Sequence, residues 1–406
     1  MTAVRICAVL LLTATAASGQ PQLRFDDVVR NLRNPDPKTR LTAVRLLRDA
    51  KYPEAIGPMA PLVLDPIDEI QIEAIAAELG FFLDQDVRTK KMVGFVVEKR
   101  TTGIAAAAFE LGPLAVWPRP VPPELVASLL QAIDDENPKV RLEAMYAFGV
   151  LGRPPLEPEQ QGRLVKALDH YDPAIRSVAA RAIARGRFPG TGDALTKAVN
   201  DSNPDVRFNA MRALGAIHDE RAVQALTEQF AFYKKGEGAW SALEALAHIA
   251  APASVPLFKE QLQNKDPFIR RAAAEGLGRT VDPSAIETLE HMATTDESAM
   301  ARVAAAFALA KLGRNYATRI ADSMNNPKIV QQAQEYLIEL GPSMTPAIAP
   351  RLQEPDAGVR EAVADVLGAI GDASTLPALE AAAKGSDPSL AAAAKRAMAR
   401  IQAPSR

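Results

Sequence analysis

The phrase NPDVRFNAMRALG, residues 203–215, decides the fold because the chain repeats it with small changes. Similar phrases are NPKVRLEAMYAFG at 137–149, DPFIRRAAAEGLG at 266–278 and DAGVREAVADVLG at 356–368. Each copy opens with Asn or Asp, continues with Val or Ile followed by Arg, and closes with Gly. Such recurrence indicates a structure built from stacked copies of one unit.

The opening Asn or Asp recurs with a period near thirty residues. The four steps from Asp266 to Asp387 are 30, 30, 30 and 31 residues long. Two spans are degenerate, 84–120 and 230–250, and filling them at the same period predicts about twelve repeats. A fixed period of this length is typical of a solenoid. The full series of opening residues is Asp36, Asn137, Asp172, Asn203, Asp266, Asp296, Asn326, Asp356 and Asp387.

Each repeat is predicted to form two helices. In the copy at 203–215, Asn203 is an N-cap whose side chain accepts a backbone N–H, and Pro204 suits the first helical position. Val206 and Leu214 follow the 3.6-residue period of a buried stripe. Gly215 and its equivalents indicate close approach of neighbouring helices, because glycine inside a helix otherwise costs about 1 kcal/mol. No alternating strand pattern is present, so we predict an all-α chain. The equivalents are Gly149, Gly278, Gly313 and Gly368.

The Asn/Asp-x-x-Val/Ile-Arg spacing, the ALG ending and the GD link resemble HEAT repeats. The resemblance is to the short HEAT-like variety first associated with phycobilisome (bilin) lyases, and it covers nearly all of the chain after the leader. It implies a right-handed stack of helix pairs. We therefore predict a single α-solenoid over residues 20–406 of about twelve stacked helix-pair repeats.

An arginine follows the opening Asn or Asp by four residues in many copies. Stacked arginines could form an anion track, or they could tie repeats together by reaching the cap or carbonyls of the neighbouring repeat. The second interpretation is favoured, and the family resemblance implies the same ladder role. The predicted ladder consists of Arg40, Arg141, Arg176, Arg207, Arg270 and Arg360.

The N-terminus is typical of a secretory signal peptide over residues 1–19. Arg5 precedes an apolar run that ends at Leu12, small residues follow, and the mature chain would begin near Gln20. The alternative is a buried N-terminal helix. The only cysteine, Cys7, lies inside the run. We expect export to the periplasm or medium, with no transmembrane segment after the leader.

The balance of charge and the missing motifs limit the function. The chain has 47 Lys and Arg against 49 Asp and Glu, so we expect no nucleic-acid partner. The four histidines form no metal-ligand pair, and no His-Glu dipeptide is present. Deoxyhypusine hydroxylases, which are HEAT-like, bind di-iron through such dipeptides. We expect no metal, cofactor or catalytic residue. An enzyme or assembly factor of the bilin-lyase or hydroxylase (oxidoreductase) type is the disfavoured alternative.

The variable positions on one helix face predict a partner-binding surface. Positions one and five residues beyond each ladder arginine share a face. This surface is aromatic and basic in the middle of the chain and acidic from Glu244 to Asp365. We predict an exported, monomeric scaffold for an unidentified protein or peptide; the alternative is scattered surface residues with aromatics tucked between helices. The predicted groove is centred on Tyr146, Arg181, Phe208, Arg212 and Trp240.

Overall fold

The computed structural model describes residues 24–83, 103–152 and 154–403. The predicted leader at 1–19 lies outside these ranges, as do residues 84–102 of the first degenerate span. The described residues form helices and contain no strand beyond an isolated bridge between Leu83 and Val116. The predicted all-α solenoid is therefore confirmed. None of the described helices is long and apolar enough to cross a membrane.

The described helices run from Phe25 to Gln402. In chain order they are α1 (Phe25–Asn31), α2 (Pro37–Ala50), α3 (Ile56–Met59), α4 (Asp68–Phe82), α5 (Ile104–Glu110), α6 (Pro123–Ala132), α7 (Pro138–Val150), α8 (Pro158–Ala167), α9 (Pro173–Gly186), α10 (Gly192–Ala198), α11 (Pro204–Ala216), α12 (Val223–Tyr233), α13 (Gly236–Ile249), α14 (Val255–Gln261), α15 (Pro267–Arg279), α16 (Ile286–Thr295), α17 (Ala299–Lys311), α18 (Ala317–Asp322), α19 (Val330–Leu340), α20 (Thr345–Ile348), α21 (Ala357–Ile370), α22 (Leu376–Ala383) and α23 (Pro388–Gln402). Short 3-10 helices are Pro53–Ala55, Ala60–Leu64, Pro113–Ala115, Glu220–Ala222, Pro252–Ser254, Pro283–Ala285, Ser323–Asn325, Gly341–Met344, Ala349–Gln353 and Ala373–Thr375.

These helices form two layers. A short first helix, sometimes extended by 3-10 turns, is followed by a longer second helix, and second helices pack side by side along the stack. The described residues hold eleven such pairs plus α5, against the predicted twelve or so. The second helices are α2, α4, α7, α9, α11, α13, α15, α17, α19, α21 and α23.

The repeated phrase acts at the start of the second helix, as predicted. The side chain of Asn203 accepts hydrogen bonds from the backbone N–H groups of Asp205 and Val206, 2.9 and 3.3 Å away. Two predicted openers differ: Asp296 lies two residues before the actual N-cap, Ser298, and Asn326 precedes a turn rather than α19. The other N-caps with this role are Asp36, Asn137, Asp172, Asp266, Asp356 and Asp387.

The glycine that closes the phrase brings second helices together. A Cβ on Gly215 would lie 2.7 Å from the Cα of Ala245, and one on Gly278 would lie 2.6 Å from the Cα of Ala308. Gly368 faces Ala397 in the same way. Gly313 differs from this prediction, because its φ of +79° places it in a left-handed turn after α17. The interior is thus built from Ala and Leu packed at short range.

The helix α5 interrupts the regular stack. The outer layer passes directly from the 3-10 helix Ala60–Leu64 to α6, while α5 packs against α7. The contact from one repeat to the next also bypasses α5, since Gln71 of α4 donates to Asp135, 2.8 Å away, at the loop before α7. The first degenerate span therefore contributes one additional inner helix among its described residues.

Second helices form the inner layer of the superhelix. Arg279 of α15 contacts Glu339 of α19 at 2.9 Å, which is two repeats further along. Arg181 of α9 likewise reaches Glu110 of α5 past α7. Side chains meet across two repeats only where helices converge, so this layer is concave. The curvature is large enough for Arg400 of α23 to contact the segment after α5, 3.0 Å from the carbonyl of Val116.

Candidate partner-binding surface

The arginine ladder joins neighbouring repeats along the edge where second helices begin. Arg176 donates from Nε and Nη2 to both oxygens of Asp201 in the next repeat, at 2.7 and 2.8 Å. Its Nη1 donates to the carbonyls of His170 and Tyr171. These carbonyls belong to its own repeat, which corrects the prediction that a ladder arginine would reach carbonyls of its neighbour. The carboxylate lies two residues before the next N-cap, Asn203.

Other ladder positions vary in their partner. Arg40 and Arg270 bind Asp65 and Asp296 as Arg176 binds Asp201. The remaining arginines depart from this pattern. Arg207 donates to the hydroxyl of Tyr233 at 2.6 Å, and Arg360 pairs with the N-cap Asp387 at 2.6 Å. Arg141 donates to main-chain carbonyls but has no hydrogen bond to a carboxylate of the described chain, and Arg302 is a further ladder position that the sequence analysis missed, because its cap is Ser298 rather than Asp296. The guanidiniums are engaged within the protein, so a continuous anion track is absent from the described ladder.

Tyr146 and Arg181, at one end of the predicted groove, lie together beneath α5. The guanidinium of Arg181 lies 5.8 Å from the ring of Tyr146 and 4.6 Å from that of Phe109 on α5. Arg181 also pairs with Glu110 at 2.6 Å. Burial is the main cause that raises the pKa of Tyr146. The chain's own α5 therefore occupies this end of the predicted groove.

Phe208 and Arg212, on α11, occupy the middle of the predicted groove. Phe208 packs edge-on against Tyr233, with ring centroids 5.5 Å apart, and Phe232 packs on the far side of Tyr233 at 5.1 Å. Arg212 pairs with Glu237 at 3.0 Å. Both residues remain partly exposed. Phe208, Tyr233 and Phe232 therefore form an aromatic cluster that reaches the surface at Phe232.

Trp240, on α13, stands at the start of its helix and is fixed by two contacts. Its indole N–H donates to Asp266 at 2.6 Å, and its ring stacks on Phe268 at 4.3 Å with an interplanar angle of 25°. Asp266 also caps α15, so Trp240 joins two repeats. Phe268 continues the stack toward solvent and is 38% exposed.

Three exposed aromatic residues lie on the edge where second helices begin, and we call them the aromatic edge: Tyr171, Phe232 and Phe268. Their exposed fractions are 76%, 75% and 38%. Each lies close to the start of a second helix, in the repeats of α9, α13 and α15. The sequence analysis missed all three because it searched only helix positions after each ladder arginine. Tyr171 instead lies in the turn before α9, Phe232 near the end of α12, and Phe268 in the first turn of α15.

The acidic half of the predicted surface is neutralised within the structure. Glu275 is 4% exposed, accepts a hydrogen bond from the hydroxyl of Tyr336, and lies 3.3 Å from both Arg271 and Arg279. Burial raises the pKa of Glu275 and the two arginines lower it, with a net lowering. Asp365 pairs with Arg396 in the same layer at 2.9 Å. These carboxylates stabilise the inner layer and do not form a free acidic surface.

The histidines do not assemble a metal site among the described residues. No group of three or more His, Cys, Asp and Glu side chains in the described chain could hold an ion. The Nδ1 atom of His218 lies 2.7 Å from the carbonyl of His248. Burial and the neighbouring Arg279 lower the pKa of His248 to about 4, so this side chain is neutral at physiological pH.

The repeat family is established by comparison with known proteins. The sequence matches the family model described as HEAT repeats over residues 163–231, 236–310 and 318–402, which is more than half of the chain. The chain therefore belongs to the HEAT-repeat family. A comparison with functionally curated proteins found no match.

Several solved structures are similar to the chain at low sequence identity. An engineered protein is 18% identical with a TM-score of 0.31, and the match covers 94% of this chain and 99% of that one. Human deoxyhypusine hydroxylase in complex with glycerol is 18% identical with a TM-score of 0.30, covering 68% and 96%. Kap95p, solved with RanGDP, is 14% identical with a TM-score of 0.40, covering 93% and 55%. No function follows from likeness at this level.

Proposed function

We propose that this HEAT-repeat protein is a scaffold that binds a protein or peptide partner along the aromatic edge. The observation that carries the proposal is the exposure of Tyr171, Phe232 and Phe268 along one edge, in the repeats of α9, α13 and α15. Large aromatic side chains contribute most of the affinity in many protein interfaces because they bury a large area with few rotatable bonds. Their exposure in one row gives a partner several anchoring points.

The internal contacts of this edge support binding without rearrangement. Phe232 is backed by Tyr233 and Phe208, and Phe268 is backed by Trp240. A side chain that is already held in place loses less conformational freedom when a partner binds. Two of the five residues predicted from sequence, Phe208 and Trp240, thus serve as supports of the proposed surface, while Tyr146 and Arg181 lie under α5.

The test is a comparison of partner binding between edge variants and an unrelated exposed position. A photo-crosslinking amino acid at position 232 or 268 should capture a partner, and the same amino acid at Leu46 on α2, which is 42% exposed, should not. With that partner purified, Phe232→Ser combined with Phe268→Ser should weaken binding by about tenfold or more, whereas Leu46→Ser should leave it unchanged. Equal affinity for both variants would contradict the proposal.

We further propose that the protein is exported and acts as a monomer in the periplasm or medium. The basic and apolar start of the chain, followed by small residues up to Gly19, supports this proposal. N-terminal sequencing of the protein from the extracellular or periplasmic fraction should find a chain that begins near Gln20. An unprocessed chain in the cytoplasm would contradict export.

The subtype of the repeat is also a proposal. Repeat steps of 30 and 31 residues support the short HEAT-like type associated with phycobilisome lyases. A family model built only from that type should match the same residues with repeat boundaries at the N-caps. Better agreement with longer HEAT repeats would contradict the assignment.

A further inference from the structure

The complete positions of the ladder share one geometry. In each, the arginine uses Nε and Nη2 to bind both oxygens of an aspartate in the next repeat, at 2.7 to 2.9 Å. The same aspartate also accepts the backbone N–H of the residue two positions later. The carboxylate therefore lies between the two repeats and is bound by the arginine of one repeat and by a backbone N–H of the next. The complete pairs are Arg40–Asp65, Arg176–Asp201 and Arg270–Asp296.

Arg141 lacks this carboxylate. The equivalent position in the next repeat, two residues before the N-cap Asp172, is His170. Its Nδ1 accepts the backbone N–H of Asp172 at 3.0 Å and so replaces only one of the two functions of the aspartate. The Nη1 of Arg141 binds the carbonyls of Asp135 and Glu136 as in the complete pairs. Its Nη2 lies 3.7 Å from the carboxylate of Asp172.

The unused edge of Arg141 is buried and unsatisfied. The residue is 5% exposed, and within the described part of the chain Nε has no hydrogen-bond acceptor. A buried guanidinium N–H without an acceptor costs free energy that an incoming acceptor would recover. The ring of Tyr171, which belongs to the aromatic edge, covers the guanidinium at 5.4 Å and is itself 76% exposed. The ring can thus move outward without breaking a packed core.

A groove of about 840 Å³ opens beside this position. Its cationic side chains are Arg163 and Lys166, which project from α8. Arg163 makes only long ion pairs, at 3.6 Å to Asp134 and 3.5 Å to Glu159.

Four carboxylates also line the groove, and two of them, Asp134 and Glu159, face Arg163 itself. Asp135 accepts hydrogen bonds from Gln71 and from the backbone of Asn137, and Asp169 pairs with Lys197 at 2.7 Å. Asp135 and Asp169 are thus bound by other groups, and Arg163 is opposed by Asp134 and Glu159, so Lys166 is the remaining cation of the groove beside Arg141.

We propose that the groove beside Arg141 binds a carboxylate group, which completes the ladder at this position. Its two oxygens would accept from Nε and Nη2 of Arg141, as Asp201 does at the next arginine, and Lys166 would add a second cation. The planar, two-oxygen geometry of the complete pairs identifies the ligand as a carboxylate. The carboxylate belongs either to a small free acid or to an acidic side chain of a peptide. The site shares Tyr171 with the aromatic edge, but neither Phe232 nor Phe268 lines it, so the double variant at those two positions tests the edge separately.

The decisive variant is His170→Asp, which supplies the missing carboxylate from the chain itself. Purified protein is titrated with sodium glutarate, and with sodium chloride at equal ionic strength, while the Nε–H signal of Arg141 is followed by NMR. Saturable change with glutarate alone is expected, and His170→Asp should weaken it by about tenfold or more. His218→Asp, the same substitution at the opposite end of a second helix, should leave glutarate binding unchanged.

A peptide arm distinguishes the two sources of the carboxylate. The blocked tripeptides Gly-Glu-Gly and Gly-Gln-Gly are titrated in the same way. Tighter binding of the Glu tripeptide than of glutarate assigns the site to a peptide side chain, and the reverse assigns it to a free acid. Identical responses to glutarate and chloride, or undiminished binding in His170→Asp, would overturn the proposal. A loss of partner binding at the aromatic edge would leave these titrations unaffected.

Discussion

Arg400, on the last helix, donates from Nη2 to the main-chain carbonyl of Val116, 3.0 Å away and 284 residues earlier in the chain. The same nitrogen donates to the carbonyl of Leu114, and Nη1 lies 3.4 Å from Asp365. Burial is the main cause that lowers the pKa of Arg400, and Asp365 opposes it. This single side chain therefore joins the C-terminal repeat to the segment that follows α5, and the superhelix closes on itself.

Removal of this contact should open the superhelix. Arg400→Ala deletes the donor to residues 114 and 116, so the radius of gyration measured by small-angle X-ray scattering should increase. The backbone N–H of Trp117, which donates to Phe82 at 2.8 Å, should exchange with solvent about tenfold faster or more. Lys395→Ala, an exposed position on the same helix, is the control and should change neither value. Unchanged scattering in Arg400→Ala would show that packing alone closes the ring.

Close packing at the phrase-final glycine predicts opposite effects for two Gly→Ala substitutions. In Gly215→Ala the new Cβ meets the Cα of Ala245 at 2.7 Å, so the free energy of unfolding should fall by about 1–3 kcal/mol through overpacking. Gly80, in the last turn of α4, has no atom of another part of the described chain within 4 Å of the position of a Cβ. Gly80→Ala should raise the free energy of unfolding by about 0.5–1 kcal/mol, because alanine is the better helix former. Denaturant titration of both variants tests the pair.

The sequence predicts this glycine contact because it depends on neighbours one repeat apart. The same locality explains why the N-cap at Asn203 and the buried stripe of Val206 and Leu214 agree with the structure. A periodic sequence pattern is enough to predict contacts within one repeat or between neighbouring repeats. The carboxylate partners of the ladder arginines follow the same period, since Asp201 follows Arg176 by 25 residues, and they could also be predicted from the sequence.

The departures from the sequence prediction come from contacts that the period does not encode. The position of α5 over Tyr146 and Arg181 depends on an insertion, and the contact of Arg400 with Val116 depends on the summed curvature of all repeats. Phe232, near the end of α12, and Phe268, in the first turn of α15, precede the positions that follow a ladder arginine, and their exposure depends on how the helices are placed. The missing carboxylate beside Arg141 is a different case, because His170 stands in the sequence two residues before the N-cap Asp172, where the complete positions have aspartate.

A complete ladder pair should contribute far more to stability than an exposed ion pair. Asp296→Ala leaves the buried guanidinium of Arg270 without its carboxylate, so we expect the free energy of unfolding to fall by about 3–5 kcal/mol. Asp169→Ala breaks the exposed pair with Lys197 and should cost less than about 1 kcal/mol. Thermal and denaturant unfolding of the two variants provides the comparison. Equal losses of the free energy of unfolding in the two variants would mean that burial does not increase the contribution of the pair to stability.

The pH dependence of the same pair has a definite sign. Burial raises the pKa of Asp296, but hydrogen bonds from Arg270 and the backbone of Ser298 outweigh it, and the pKa is lowered overall. A carboxyl whose pKa is lower in the folded state contributes stability above its unfolded pKa, near 3.9, and loses it as the pH falls below that value. The free energy of unfolding of Asp296→Ala should therefore approach that of the native protein under acid conditions.

Glu78 presents the opposite case, a carboxyl in a position that the repeat reserves for leucine. It follows the N-cap Ile67 by eleven residues, as Leu214 follows Asn203. It is 2% exposed, and neither of its oxygens has a hydrogen-bond partner among the residues that the structure describes. Burial therefore raises the pKa of Glu78 well above its usual value.

Glu78→Leu should accordingly stabilise the protein at neutral pH. A group with a raised pKa in the folded state loses its contribution to stability as the pH rises from its unfolded pKa, near 4.3, through its folded value. The free energy of unfolding of Glu78→Leu should exceed that of the native chain by about 1–3 kcal/mol at pH 8, because the buried carboxylate is removed. The difference should shrink toward pH 3, where the native carboxyl is protonated in both states. Glu78→Gln, which keeps the shape but cannot ionise, should remove the pH dependence without restoring apolar packing. A stability difference that is constant from pH 3 to pH 8 would show that the pKa of Glu78 is the same in the folded and unfolded states, and that packing alone accounts for the gain.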